Sequence, residues 1–162
     1  MIEIKEAKLS DIPVIHKLAN EIWRPTYQHI LADEQISFML DKMYSEKSLK
    51  EQFRQHQTFL LLTENELPKG FACYSKTDID KNYKLEKIYL HPDQQGKGVG
   101  KQLITEVERI VKANGATVLT LNVNRGNNAR FFYQKMEYQI VQEIDIPYYD
   151  FVLNDYIMEK VL

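Results

Sequence analysis

Apolar residues recur along this chain at two spacings, strand-like and helix-like, and the two alternate from end to end. Ile2, Ile4 and then Ala7 predict a short opening strand. Ser10 or Asp11 next offers an N-cap, Pro13 falls in a first turn, and Ile12, Ile15, Leu18, Ala19 and Ile22 form one stripe, predicting a helix through about Trp23. Arg24-Pro25 should end it, because proline disfavours helical backbone at the residue before it. After a loop from Thr26 to Ala32, Asp33 is the expected cap of a helix carrying Ile36, Phe38, Met39 and Leu40. Ser45 is the expected cap of another through Leu49 and Phe53.

Thr58 to Thr63 and Lys69 to Lys76 are apolar runs of strand length, with Asn65, Pro68 and Gly70 marking a hairpin between them. Tyr83 to Leu90 predicts a third long strand. Val99, Leu103, Val107, Ile110 and Val111 then repeat at helical period up to Asn114-Gly115, a natural stop. Thr117 to Val123 returns as a β-branched strand, and a crossover through a helix makes it parallel to Tyr83 to Leu90. Asn127 or Asn128 begins a further helix with Ala129, Phe132, Tyr133 and Met136 inward, and Tyr138 to Ile146 and Phe151 to Val161 are the last two strands. The order describes a mixed α/β (α+β) chain with no linker or repeat, read as a single domain over residues 1–162.

With 44% apolar and 27% charged residues, the chain has the composition of a packed globular protein. A net charge of −2 provides no general attraction to nucleic acid. Cys73 is the sole cysteine, so no intramolecular disulfide forms, and its place in an apolar strand suits a core residue better than a nucleophile. The start carries no basic stretch followed by an apolar core, and no run approaches the ~20 apolar residues of a membrane span. The reading is a cytoplasmic protein with no membrane partner. His16, His29, His56 and His91 lack paired spacing, so no metal is expected.

The most informative stretch is Ile88 to Lys101, where a strand end and a short turn lead into Gly96, Gly98 and Gly100 ahead of the strongest helix. Glycines let consecutive N–H groups turn toward one point, and a helix N-terminus adds unpaired donors and the positive end of its dipole: a site for phosphate. Lys97 and Lys101 add positive charge. A plain chain reversal is the alternative. No Gly-x-x-x-x-Gly-Lys-Ser/Thr occurs, and a dinucleotide fingerprint would need glycine at Lys101.

From Gln95 the run matches Gln/Arg-x-x-Gly-x-Gly, and on this motif the chain resembles the GCN5-related N-acetyltransferases, the GNAT family. A second motif, Asn127-x-Ala129-x-x-Phe132-Tyr133 continued by Gln134-Lys135-Met136, follows in the family's order and spacing. The resemblance spans Leu85 to Tyr138. It implies a mixed, mostly antiparallel sheet with a central parallel strand pair and helices on both faces, and acetyl-CoA as co-substrate. It further implies that the backbone of Ile88, Tyr89 and Leu90 pairs with the pantetheine arm and acetyl group. Gln95, Gly96, Lys97, Gly98, Val99, Gly100 and Lys101 would hold the pyrophosphate, Leu121 and Asn122 form the partner strand, and Asn127 approaches the cofactor. The chain departs from the family with Glu137-Tyr138 in place of Gly-Phe. Arg130 stands where a small or aliphatic residue is usual, facing solvent, a cofactor phosphate or a partner chain.

Acetyl transfer to an amine needs a free nitrogen lone pair, a donor to the thioester oxygen and a proton for the departing thiolate. Glu86 is the resemblance's base, acting directly or through water; a surface ion pair with Lys84 or Lys87 is the plainer alternative. Tyr133 is its general acid, since a phenol of pKa about 10 stays protonated at neutral pH; a core aromatic is the alternative. Trp23, Tyr27 and His29, with Tyr148 and Tyr149, are candidate walls of the acceptor pocket or simply packing aromatics. The expected activity is direct transfer, in a ternary complex, to a small primary amine such as a polyamine. A protein N-terminus or lysine is the second acceptor class, a non-catalytic acyl-CoA sensor is the other kind of function, and a family tendency to pair chains through terminal strands leaves a homodimer open beside the single chain.

Overall fold

A computed structural model describes residues 1–162. Seven strands form one sheet: β1 (Ile2–Glu6), β2 (Thr58–Glu64), β3 (Leu67–Lys76), β4 (Asn82–Leu90), β5 (Val118–Asn124), β6 (Gln139–Tyr148) and β7 (Phe151–Val161). Their order is β1-β2-β3-β4-β5-β7-β6, and every neighbouring pair is antiparallel except β4 and β5, which are joined by a crossover long enough to hold a helix. Helices α1 (Ile12–Tyr27), α2 (Asp33–Tyr44) and α3 (Glu46–Arg54) cover one face, and α4 (Val99–Ala113) and α5 (Ala129–Lys135) the other. The mixed sheet with one parallel pair agrees with the sequence reading.

Two cores result, one on each side of the sheet. Phe59, Leu61, Phe71 and Cys73 meet α1–α3, whereas Leu60, Leu62, Ala72 and Tyr74 meet α4 and its neighbours. Being covered on both faces is why β2 and β3 read as continuous apolar runs rather than alternating ones. No helix is long and apolar enough to cross a membrane.

Three local expectations are corrected. Pro25 does not end α1, which continues to Tyr27. The ring removes one helical hydrogen bond, a defect of about 3 kcal/mol. Burial of Trp23 and Tyr27 one turn apart offsets it, and the hydroxyl of Thr26 donates to the Ile22 carbonyl at 2.8 Å. Asp33 is not a cap but the first residue of α2, with Ala32 in the cap position, and its carboxylate instead receives the Arg24 guanidinium. The β2–β3 hairpin turns at Asn65 and Glu66, with φ of 50° and 69°, whereas Gly70 lies within β3. There a Cβ would meet the Tyr89 carbonyl oxygen at 2.8 Å, so glycine serves close approach of β4, not the turn. α5 begins where expected: Asn128 takes the cap position, and Asn127 Oδ1 accepts from the Ala129 N–H at 2.9 Å. Ser45 caps α3 as expected, accepting from the Ser48 N–H at 3.2 Å.

Where the family has Gly-Phe, Glu137 adopts φ of 75°. The turn thus keeps left-handed geometry without glycine, at a cost of about 1–2 kcal/mol. Tyr138 buries its ring at 2% exposure and donates its hydroxyl to Glu108 at 2.8 Å, while Lys160 reaches the same carboxylate at 3.1 Å. A phenol thereby joins a partly buried ion pair. Tyr138→Phe should lower unfolding stability by about 1.5–3 kcal/mol, the worth of a hydrogen bond to a charged group. Urea melts should register this as a lower midpoint at unchanged slope.

Candidate active site

Parallel pairing of β4 with β5 extends only from Asn82 and Val118 to Leu85 and Leu121. Both strands then run on, β4 to Leu90 still bonded to β3, and β5 to Asn124 still bonded to β7. Their facing edges therefore part. Main-chain groups of residues 86–90 on that edge have no strand to pair with, and unpaired backbone donors and acceptors demand another partner. The opening is a cleft of about 1280 Å³. Ordinary small-molecule pockets hold about 300–1,000 Å³, so this one admits a long ligand together with a second molecule.

One end of the cleft is the glycine loop. Gln95, Gly96, Gly98, Val99, Gly100 and Lys101 line it; Lys97 is exposed and does not. Gly98 has φ of 74°, and nothing stands within 4 Å of where its Cβ would be. The first helical bond of α4 is from the Gln102 N–H to the Gly98 carbonyl at 3.2 Å, so the three N–H groups before it are free of intrahelical partners. The turn beneath, Pro92–Gln94, is fastened to β3: Lys69 Nζ donates to Asp93 at 2.6 Å and the His91 N–H to the Lys69 carbonyl at 2.7 Å. Lys69 holds the Asp93 carboxyl down to about 2. An open cradle of unpaired donors beside Lys101 fits a pyrophosphate in charge and hydrogen bonding.

The middle of the cleft holds phenols. Tyr133 of α5 is buried, its hydroxyl free of any hydrogen bond within the protein, and burial pushes its pKa well up. Tyr27 and Tyr89 hydroxyls lie 2.9 Å apart, and Tyr89 packs its ring against Trp23 at 5.8 Å. Burial raises both phenols as well. Ile88, Tyr89, Leu90, Leu121, Asn122 and Asn127 all line this region, so the structure gathers every cofactor residue inferred from the sequence except Lys97.

Beyond the phenols, β4 carries a bulge. Cys73 pairs with Lys87 and Tyr74 with Leu85, which leaves Glu86 as an extra residue. Regular alternation would set Glu86 on the same face as Ile88, the arrangement simple two-residue counting implies. The bulge breaks that phase: Leu85 and Ile88 both meet the α4-side core, while Glu86 accepts from the hydroxyl of Ser75, two residues from Cys73 on the α1-side face. Lys84 Nζ is 3.9 Å from Glu86. Lys87 lies over the Tyr44 and Phe59 rings at 5.8 and 5.6 Å, and burial lowers its pKa.

Trp23, Tyr27 and His29 line the same region. Tyr148 and Tyr149 do not. They stand on Phe38 of α2, with ring centroids 6.2 and 5.1 Å away, and Lys42 Nζ sits 5.2 Å from the Tyr149 ring. Ile146 and Leu153 of the same hairpin reach the cleft instead. Arg130 stacks on Phe131 and Tyr156 at 4.7 and 5.3 Å and is likewise outside. Sequence reasoning missed Asp155 of β7, which lines the cleft half-buried, its pKa raised by desolvation. Only the pairing of Asp155 with Asn124 brings it here, and strand register leaves no local mark on the sequence.

Comparison with known proteins gives a coherent result. A family model described as an acetyltransferase (GNAT) domain matches residues 27–145. Spermidine N(1)-acetyltransferase of Thermoplasma acidophilum is 30% identical over 98% of this chain and 96% of its own length. The crystal structure of the PaiA N-acetyltransferase of Thermoplasma acidophilum in complex with coenzyme A superposes with a TM-score of 0.86 at 28% identity, covering 100% of this chain and 99% of that one. A ribosomal protein bS18 alanine N-acetyltransferase of Haemophilus influenzae is 36% identical over 54% of this chain and 56% of its own. The chain belongs to the GNAT acetyltransferases, a family that takes its acetyl group from acetyl-CoA.

Proposed function

We propose that this enzyme acetylates a small primary amine of the polyamine type by direct transfer within a ternary complex. The observation that carries this reading is the single cleft, fitted for pyrophosphate at the glycine loop and carrying Glu86 beyond the strand fork. The spermidine-acetylating relative, matched over nearly its whole length, supports the acceptor class.

Acetyl-CoA supplies the activated thioester. Around it the chain's own groups have separate tasks. The loop from Gln95 to Lys101 binds phosphate, with Lys97 contributing charge from the exposed side. Ile88, Tyr89 and Leu90 offer main-chain groups to an extended ligand, opposite Leu121 and Asn122, and Asn127 holds the entry to α5. Alkyl ammonium groups have an ordinary pKa of about 10.4, so nitrogen must lose a proton before attack. Glu86 takes that proton directly or through water, its carboxylate oriented by Ser75 at 2.8 Å. Tyr133 gives its hydroxyl proton to the departing sulfur; that hydroxyl has no competing partner. Trp23 and Tyr27 form the acceptor wall, whereas Tyr148 and Tyr149 act from outside by fixing the β6–β7 hairpin against α2. The protein works in the cytoplasm, as one domain or as a homodimer of such domains.

Purified protein incubated with acetyl-CoA and a panel of polyamines should release coenzyme A and acetylated amine. Saturable coenzyme A binding without turnover on any amine or peptide N-terminus would sink the reading in favour of a sensor. Tyr133→Phe should lower kcat about 10²-fold, within the usual span for a lost general acid, with the coenzyme A dissociation constant changed less than twofold. Because burial raises the Tyr133 pKa, the donating, neutral form persists above the pH of about 10 at which an ordinary phenol is half-ionised. The pH profile of kcat should accordingly show no alkaline decline assignable to this group below that point. Gly98→Ala places a side chain at φ of 74° and should weaken coenzyme A binding about tenfold by calorimetry through displaced loop donors.

A further inference from the structure

Strand alternation divides β5 sharply. Leu119, Leu121 and Val123 enter the α4-side core, so Thr120, Asn122 and Asn124 face the other way, and the last two line the cleft. Asp155 pairs with Asn124 across the β5–β7 ladder and shares that face; the Asn122 amide donates to it at 3.4 Å. Only two carboxylates line the cleft, Glu86 on β4 and Asp155 on β7, with β5 between them. Two strand spacings, about 10 Å, separate their backbones even before the fork widens.

Their surroundings differ. Glu86 has Lys84 at 3.9 Å, but Asp155 has no cation within ion-pair distance, and Lys84 and Arg125 act on it only from farther off. Arg125 spends its guanidinium elsewhere: it donates to the main-chain carbonyl of Asp155 at 3.2 Å and pairs with the carboxylates of Asp145 at 2.7 Å and Glu143 at 3.4 Å. A half-buried carboxylate without a counter-ion is costly, and a cation arriving in the cleft would relieve that cost.

Resting on the amine reading above, we propose that Asp155 anchors a second ammonium group of the acceptor while the reacting nitrogen lies toward Glu86, so that the enzyme selects diamines over monoamines. Asp155 is a specificity residue in this scheme and takes no part in proton transfer. The separation of the two carboxylates across β5 measures the acceptor, and Asn122 keeps the Asp155 side chain aimed at the cleft.

The test compares kcat/KM for putrescine and for n-butylamine, equal in carbon count and differing by one ammonium. Wild type should prefer putrescine, and Asp155→Asn, which keeps the shape and the Asn122 contact, should lower the putrescine-to-butylamine ratio about tenfold or more, chiefly through the putrescine KM. Asp155→Glu should recover most of the preference, and coenzyme A binding by calorimetry should certify that each variant is folded. Loss of both activities in equal proportion, or an unchanged ratio, would overturn the assignment of Asp155 alone. Wild type inactive on both amines would instead remove the amine reading, and this inference with it.

Discussion

Everything functional in this molecule follows from the failure of two parallel strands to stay together. β4 and β5 are paired through Leu85 and Leu121 and then separate, although each remains bonded to its outer neighbour. Backbone groups cannot be left dry and unpaired, so the fork is stable only as a place where water or a ligand completes the ladder. The outer strands hold the gap open from both sides. A crossover helix whose N-terminus opens beside one lip sets a cluster of donors at the mouth, and phenols from α1, β4 and α5 converge at the throat.

Local signals make the donor half of this arrangement legible in the amino-acid order alone. The glycine loop, the α4 stripe and the Asn127 to Tyr133 motif are short-range features whose physics needs no partner strand. Tertiary effects overrule local rules elsewhere. Pro25 reads as a terminator, yet Trp23 and Tyr27 bury together so well that the helix carries through it. Gly70 looks like turn chemistry and proves to be relief for the neighbouring strand. The other half is legible only in part: Trp23 and Tyr27 line the cleft, but Tyr148 and Tyr149 anchor a hairpin on Phe38 instead. The Glu86 bulge and the approach of Asp155 depend on register, which a single chain read in order does not display.

The two halves of the cleft are built from different parts of the fold. Donor-side contacts come from the turn, α4 and α5, packed on one face of the sheet. The rest of the cleft is furnished by α1, the polar side of β4 and β5, and the β6–β7 hairpin on the other. Side chains on that second face can therefore change without disturbing the core beneath the glycine loop.

The bulge at Glu86 also acts as a phase shifter within a single strand. Upstream of it, β4 presents Leu85 to the α4-side core; downstream, Ile88 and Leu90 do the same although both stand an odd number of residues away. Deleting Glu86 would restore strict alternation with Leu85 and Ile88 two residues apart on their common face and Tyr89 still among its aromatic neighbours. The extra residue is thus dispensable to the polarity of the strand, and what its loss would remove is one carboxylate set outside the regular ladder at the fork.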